Sequence, residues 1–123
     1  VMELKSAVEP GMAYYPSLKG RVVLVTGGGS GIGASLVEHF CDQGAQTLFL
    51  ELDAGTAAAT ADDVAERTGI TPLWRAVDLR DIPATRAAIE ALAAEAGGPI
   101  RGLVNNAGND DRRPALEVTP ELW

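Results

Sequence analysis

The 123-residue chain has a single cysteine, Cys41, and a single histidine, His39. One thiol leaves no disulfide framework and no cysteine-based metal site, so no metal is expected. Aromatic residues reach only 5%. Basic residues are also scarce: 10 Lys and Arg stand against 17 Asp and Glu, for a net charge of −7. Binding a nucleic-acid backbone needs the opposite balance, so no nucleic-acid partner is expected. The same acidity gives no attraction to an anionic membrane surface. The longest purely aliphatic run is Val22-Val23-Leu24-Val25, far too short to span a bilayer. Residues 1–20 lack the basic start and long apolar stretch of a signal peptide. The expected setting is a reducing, cytoplasmic one.

What is present is a globular composition, with 46% apolar and 22% charged residues, enough for one small domain. Residues 1–20 read as an irregular N-terminal arm, with Tyr14 and Tyr15 available to pack on a neighbour. From Arg21 onward a regular alternation begins. Residues 22–26 form a β-branched and aliphatic run that suits a strand buried on both faces. Residues 32–43 follow as a helix with Ile32, Leu36, Val37 and Phe40 on one stripe, and Gly44 stops it. Residues 47–52 are a second strand, 54–67 an Ala-rich helix ended by Gly69, and 71–77 a third strand. Asp81 caps a helix with Pro83 in its first turn and Ile82, Ile89, Leu92, Ala93 and Ala96 as its stripe. Gly97-Gly98-Pro99 breaks that helix, residues 100–105 form a fourth strand, and 108–118 a polar loop. Thr119-Pro120-Glu121 reads as another helix start, so the chain reads as a fragment of something longer. Strands alternating with helices of this length predict an α/β fold with a parallel sheet.

The densest chemistry is Thr26-Gly27-Gly28-Gly29-Ser30-Gly31-Ile32-Gly33, placed between a strand and a helix. Glycines at such a junction let the backbone turn with positive φ, approach a diphosphate closely and pack the helix on the strand. The helix then presents free N–H groups and its positive dipole end to the phosphates. Glu51 ends the second strand, 18 residues after Gly33. An acid at about this distance is where a dinucleotide site holds the adenosine ribose diol. It would repel a 2′-phosphate, and Ser30 beside it offers no positive charge, which favours NAD over NADP. Asp53 competes for the same role but has the poorer register with the strand end. A kinase-like phosphate loop is excluded, because the Gly-Lys-Ser/Thr ending is missing. His39 and Cys41 read as a surface histidine and a packed thiol. Tyr15 and Lys19 have a suggestive spacing, but they precede the first strand and lie away from the strand ends where ligands bind.

Together these residues resemble the short-chain dehydrogenase/reductase family. Thr26-Gly27-x-x-x-Gly31-x-Gly33 is similar to its glycine loop, Asp78-Leu79 to its adenine contact, and Asn105-Asn106-Ala107-Gly108 to its second hallmark. The resemblance implies the N-terminal half of a Rossmann-type doubly wound sheet, strand order 3-2-1-4 of a 3-2-1-4-5-6-7 sheet. Residues 21–123 would be the NAD-binding half of one domain. Gly27, Ser30, Gly31, Ile32 and Gly33 would surround the pyrophosphate and adenosine ribose, and Glu51 would bind that ribose. Asp78 would accept from the adenine amino group, with Leu79 as an apolar wall. Asn106 would tie the central strands, while Ala107 and Gly108 leave room for the nicotinamide-side ribose. The family's catalytic Ser and Tyr-x-x-x-Lys match nothing here, so no catalytic residue is assigned. A strand five would be missing beside strand four, leaving an apolar edge prone to association.

Residues 15–20 and Asn109-Asp110-Asp111-Arg112 further resemble the family's sugar dehydrogenases, in particular D-xylose 1-dehydrogenase-like enzymes. Those oxidise the anomeric hydroxyl of an aldose to a lactone. Asp110 and Asp111 would then line the substrate pocket, although Arg113 stands where that pattern has His. The implied partners are a small-molecule sugar and further copies of the chain, tetramers being usual in the family. Alternatives are a 3-oxoacyl, steroid or simple alcohol substrate, or a nucleotide-binding relative without turnover.

Overall fold

The computed structural model describes residues 12–108 and 114–121. Four strands form one parallel sheet: β1 (Val22–Thr26), β2 (Gln46–Glu51), β3 (Leu73–Ala76) and β4 (Ile100–Val104). Their order is β3-β2-β1-β4. Three helices connect them: α1 (Gly31–Asp42), α2 (Ala54–Thr68) and α3 (Ile82–Ala96). The predicted strand-helix alternation and strand order are both found, and the fold is the expected Rossmann-type half.

Val22–Thr26 is buried along its whole length because helices cover both faces of the sheet. Val23, Val25 and Phe49 pack with Val37 and Cys41 of α1 and Ala57, Ala61 and Val64 of α2. Val22, Leu24, Leu48 and Leu50 face the other way, onto Leu92 of α3. Odd and even positions of the central strands therefore feed two separate cores. Each fully buried side chain among them, such as Leu48 or Phe49, contributes about 1.5–3 kcal/mol. Cys41 is the packed thiol expected, and burial pushes it up to about 11. Among the described residues no buried side-chain polar atom lacks a partner. No described helix is long and apolar enough to cross a membrane.

Helix ends follow the sequence signals. Asp53 caps α2 by accepting from the Thr56 N–H at 2.7 Å, and Asp81 caps α3 from the Ala84 N–H at 3.0 Å. Gly69 and Gly97 close the two helices in left-handed conformation. Asp53 thus starts α2, and it is not among the residues lining the crevice described below.

Some expectations need correction. Ile32 and Ile82, both expected on buried helix stripes, are 75% and 61% exposed. Each sits in the first turn of its helix. β2 starts one residue earlier than expected, and β3 keeps only four residues of the 71–77 run. The polar loop contains a short 3-10 turn at Ala115–Glu117. The N-terminal arm has a 3-10 turn at Pro16–Leu18. It is tied to the end of α1, with the Tyr15 N–H donating to Gln43 Oε1 and Gln43 Nε2 donating to the Ala13 carbonyl. Pro120 and Glu121 form a turn.

Candidate dinucleotide site

Every strand of the sheet runs the same way, so the four carboxyl ends come together at one edge. A crevice of about 820 Å³ opens there. The glycine loop contributes Gly27, Ser30, Ile32 and Gly33 to its lining, and the end of β2 contributes Glu51. The turn after β3 contributes Asp78 and Leu79, and the segment after β4 contributes Asn106, Ala107 and Gly108. Ten of the predicted site residues thus meet in one place. Gly31 does not line the crevice; it shapes the loop. Asp110 and Asp111 lie outside the described residues.

The loop is fixed from below and from both sides. The Gly27 and Gly28 N–H groups donate to the Leu50 carbonyl, at 2.8 and 3.2 Å. Thr60 of α2 donates its hydroxyl to the Gly29 carbonyl at 2.6 Å. On the β4 side, Thr26 Oγ1 accepts from the N–H groups of Asn106 (3.1 Å) and Ala107 (3.0 Å). Asn106 Nδ2 donates to the carbonyls of Thr26 and Gly27, at 3.2 and 3.3 Å. This is the strand-tying role expected of Asn106.

Two glycines show different reasons for being glycine. A Cβ on Gly33 would lie 1.9 Å from the Gly27 carbonyl oxygen and 2.7 Å from Asn106 Nδ2. Close packing of helix on loop forbids any side chain there. Gly31 has φ +54°, yet nothing lies within 4 Å of where its Cβ would stand. Its glycine is demanded by backbone conformation. The first-turn N–H groups of α1, at Gly31, Ile32 and Gly33, find no acceptor among the described residues, as helix geometry requires. They are donors oriented for an anion.

Glu51 is half-buried, and its carboxylate is already anchored. Oε2 accepts from the Gly29 N–H at 2.9 Å and Oε1 from the Leu52 N–H at 3.1 Å. A carboxylate offers about four acceptor sites, so about two stay without a partner among the described residues. In the turn after β3, whose Val77 N–H donates to the Glu51 carbonyl, Asp78 pairs with Arg80, which also lines the crevice. The bonds from Arg80 hold the Asp78 carboxyl well below the usual range, at about 2. Ile32 and Leu52 stand exposed at the rim, and Leu79 and Val77 add apolar surface inside it. Free N–H donors, apolar walls and an anchored carboxylate fit an extended dinucleotide.

The profile of the family described as "short chain dehydrogenase" matches residues 21–123. The chain belongs to the short-chain dehydrogenases. This family uses a nicotinamide dinucleotide, and the residues lining the crevice fit one. Relatives include the Rhizobium meliloti protein named "Probable galactose dehydrogenase GalD", 48% identical over 109 residues. The match covers 89% of this chain and 42% of that protein. The D-xylose 1-dehydrogenase of Caulobacter vibrioides is 44% identical, with 90% of this chain and 42% of that protein covered. Among solved structures, L-sorbose reductase from Gluconobacter frateurii, complexed with NADPH and L-sorbose, is 29% identical with a TM-score of 0.75. It covers 86% of this chain and 40% of that one. The chain therefore spans about two fifths of the length of these relatives.

Within this short-chain dehydrogenase site, sequence reasoning missed the apolar lining residues Leu50, Leu52 and Val77, and with them three polar residues. Thr26 was visible as the first letter of the loop motif, but its hydroxyl's bonds to a segment 80 residues away were not. Thr60 carries no signal, because only the packing of α2 beside the loop brings it there. Arg80 follows the expected adenine contact directly, and its proximity to Asp78 was the available clue.

Proposed function

We propose that residues 21–123 are the NAD-binding part of an oxidoreductase that interconverts a hydroxyl and a carbonyl, with an aldose oxidised at C1 to a lactone as its substrate. The nicotinamide, when bound, supplies the hydride acceptor. The chain's own residues bind and orient. The α1 N–H groups and the glycine loop hold the diphosphate, Asn106 fixes the β1–β4 junction, and Ala107 and Gly108 keep the nicotinamide side clear. The observation that carries the cofactor choice is the anchored Glu51 carboxylate. Its two open acceptor sites match the two hydroxyls of an unphosphorylated ribose, and its charge opposes a 2′-phosphate. The aldose reading is supported by the galactose and D-xylose dehydrogenases among the relatives. The same reading places Asp110 and Asp111 at the substrate rim, the catalytic residues in a longer chain, and the working enzyme in a cytoplasmic homo-oligomer.

A second reading, NADP with a ketose, is favoured by the sorbose reductase complexed with NADPH and by one cation, Arg80, in the crevice. Calorimetric titration of the full-length protein with NAD and NADP separates the two. NAD is expected to bind more tightly. Glu51→Ala should weaken NAD about tenfold or more, the scale of losing bonds to a charged acceptor, and narrow the preference. An unchanged preference removes Glu51 from the account, and tighter NADP binding by the unmodified protein establishes the second reading. Nicotinamide reduction with D-xylose, D-galactose, a 3-hydroxyacyl ester and a steroid alcohol tests the substrate class.

A further inference from the structure

Threonines in the helices use their hydroxyls in two ways. Thr68 of α2 and Thr85 of α3 donate to carbonyls four residues back, at Val64 and Asp81, both at 2.8 Å. That is a common outlet for a hydroxyl within a helix. Thr60 of α2 instead donates out of its helix, to the Gly29 carbonyl of the glycine loop at 2.6 Å. Gly29 is also the loop residue whose N–H donates to Glu51 Oε2, at 2.9 Å. Its backbone is therefore held on both sides, the carbonyl by α2 and the N–H by the carboxylate that ends β2.

The contact also depends on what Gly29 lacks. A Cβ there would lie 2.5 Å from Glu51 Oε2 and 2.6 Å from both Cγ and Cδ. Gly29 is not in the left-handed region, so the nearness of the Glu51 side chain, and not backbone conformation, is what a methyl would violate. A glutamate side chain has many rotamers, so its carboxylate keeps one direction only where something holds it. Here it rests on bare backbone.

We propose that Thr60 is a positioning residue for cofactor choice: its hydroxyl, acting through the Gly29 backbone, holds the Glu51 carboxylate in place and so sets how strongly the site discriminates between NAD and NADP. This rests on the NAD reading above, in which Glu51 meets the ribose. Thr60 does not line the crevice, so its effect is indirect. Without its bond, Gly29 regains the wide backbone freedom of a glycine, and the N–H and the carboxylate resting on it lose their shared direction. A displaced carboxylate gives weaker bonds to the diol and less repulsion of a 2′-phosphate, which moves the two cofactors in opposite directions. A general loosening of the loop weakens both alike, because both carry the same diphosphate.

The test is calorimetric titration of the full-length protein with NAD and with NADP. Thr60→Val removes the hydroxyl and keeps the shape. It should cut the preference for NAD at least about threefold, while Thr60→Ser should retain it. Some stability is lost with the bond, but a ratio of two cofactors cancels whatever they share. Gly29→Ala should cut the preference further, toward that of Glu51→Ala. In the Glu51→Ala background, Thr60→Val should change the ratio no more, because that carboxylate carries its effect. An unchanged ratio in Thr60→Val, equal weakening of both dinucleotides, or the same fold-change with and without Glu51 would each overturn the proposal. Should Thr60→Val not fold, Thr60→Ala, the better helix former, is judged by the same outcomes. A second readout needs no dinucleotide: in hydrogen exchange followed by NMR, the Gly29 N–H should exchange at least about threefold faster in Thr60→Val and stay protected in Thr60→Ser. Unchanged exchange overturns the clamp itself. An unmodified protein that prefers NADP, or binds neither dinucleotide, overturns the NAD reading and the proposal with it. A Gly29 exchange rate that still responds to Thr60 marks that outcome as a failure of the reading and not of the clamp.

Discussion

The two walls of the crevice are built differently. On the loop side, Gly27 to Gly33 is locked by the chain's interior: the Leu50 carbonyl below, Thr60 from α2, and Thr26 with Asn106 from the β4 side. On the β3 side, Asp78 is aimed by one surface guanidinium reaching back over two residues. The first wall is shared with the hydrophobic core, so altering it should disturb the fold before it disturbs binding. On the second, Val77 and Leu79 also pack on the core but the Asp78–Arg80 pair lies at the surface, so altering that pair should change the crevice and leave the fold intact. A binding site can thus combine a wall whose geometry is fixed by packing with one whose geometry is fixed by charge.

The largest effect that would sharpen this contrast is expected at Gly33. Gly33→Ala forces a methyl to within 1.9 Å of a carbonyl oxygen, and should destabilise the chain by about 3 kcal/mol or more in urea unfolding. Gly31→Ala meets no atom and should cost only about 1 kcal/mol, for the left-handed backbone alone. Similar values for the two variants would break the packing account of the loop wall.

Thr26→Val comes next. The hydroxyl accepts from two N–H groups, and Thr26 is 8% exposed. Losing it should cost about 1 kcal/mol, the scale of hydrogen bonds to partly buried donors, while Thr26→Ser should keep most of the stability. If valine is tolerated as well as serine, the β1–β4 junction is not held by this hydroxyl.

The smallest stability effect is expected on the β3 side. Asp78 has a folded pKa of about 2 against an ordinary 3.8. A lowered carboxyl stabilises the fold fully above its unfolded pKa, and the contribution disappears as pH falls from 3.8 through about 2. Carbon-detected NMR of the Asp78 carboxyl should show its midpoint near 2, moving toward 3.8 in Arg80→Met with little change in unfolding near neutral pH. A midpoint already near 3.8 in the unmodified protein would mean that the pair is not formed in solution.

Much of the architecture was legible because local rules and tertiary contacts agree. The Val22–Thr26 run, the cap at Asp81 and the stops at Gly69 and Gly97 are where the sequence places them. The misread positions share a cause. Ile32 and Ile82 have the helical phase of buried residues, but phase does not say where the sheet ends. Both stand exposed in a first helical turn, and Ile32 lines the crevice. Asp53 and Glu51 are two acids two residues apart, and only the path of the chain into α2 separates a cap from a crevice carboxylate.

By itself the sequence determined the alternation of strands and helices, the glycine loop between β1 and α1, and the acid at the end of β2, since these depend on periodicity, backbone freedom and short spacing. Tertiary structure alone decided that the Thr26 hydroxyl serves a segment 80 residues on and that Thr60 steadies Gly29. Hydrogen bonds and ion pairs act over about 3 Å. Which groups come that close is set by how distant stretches of chain pack, and no local pattern encodes it.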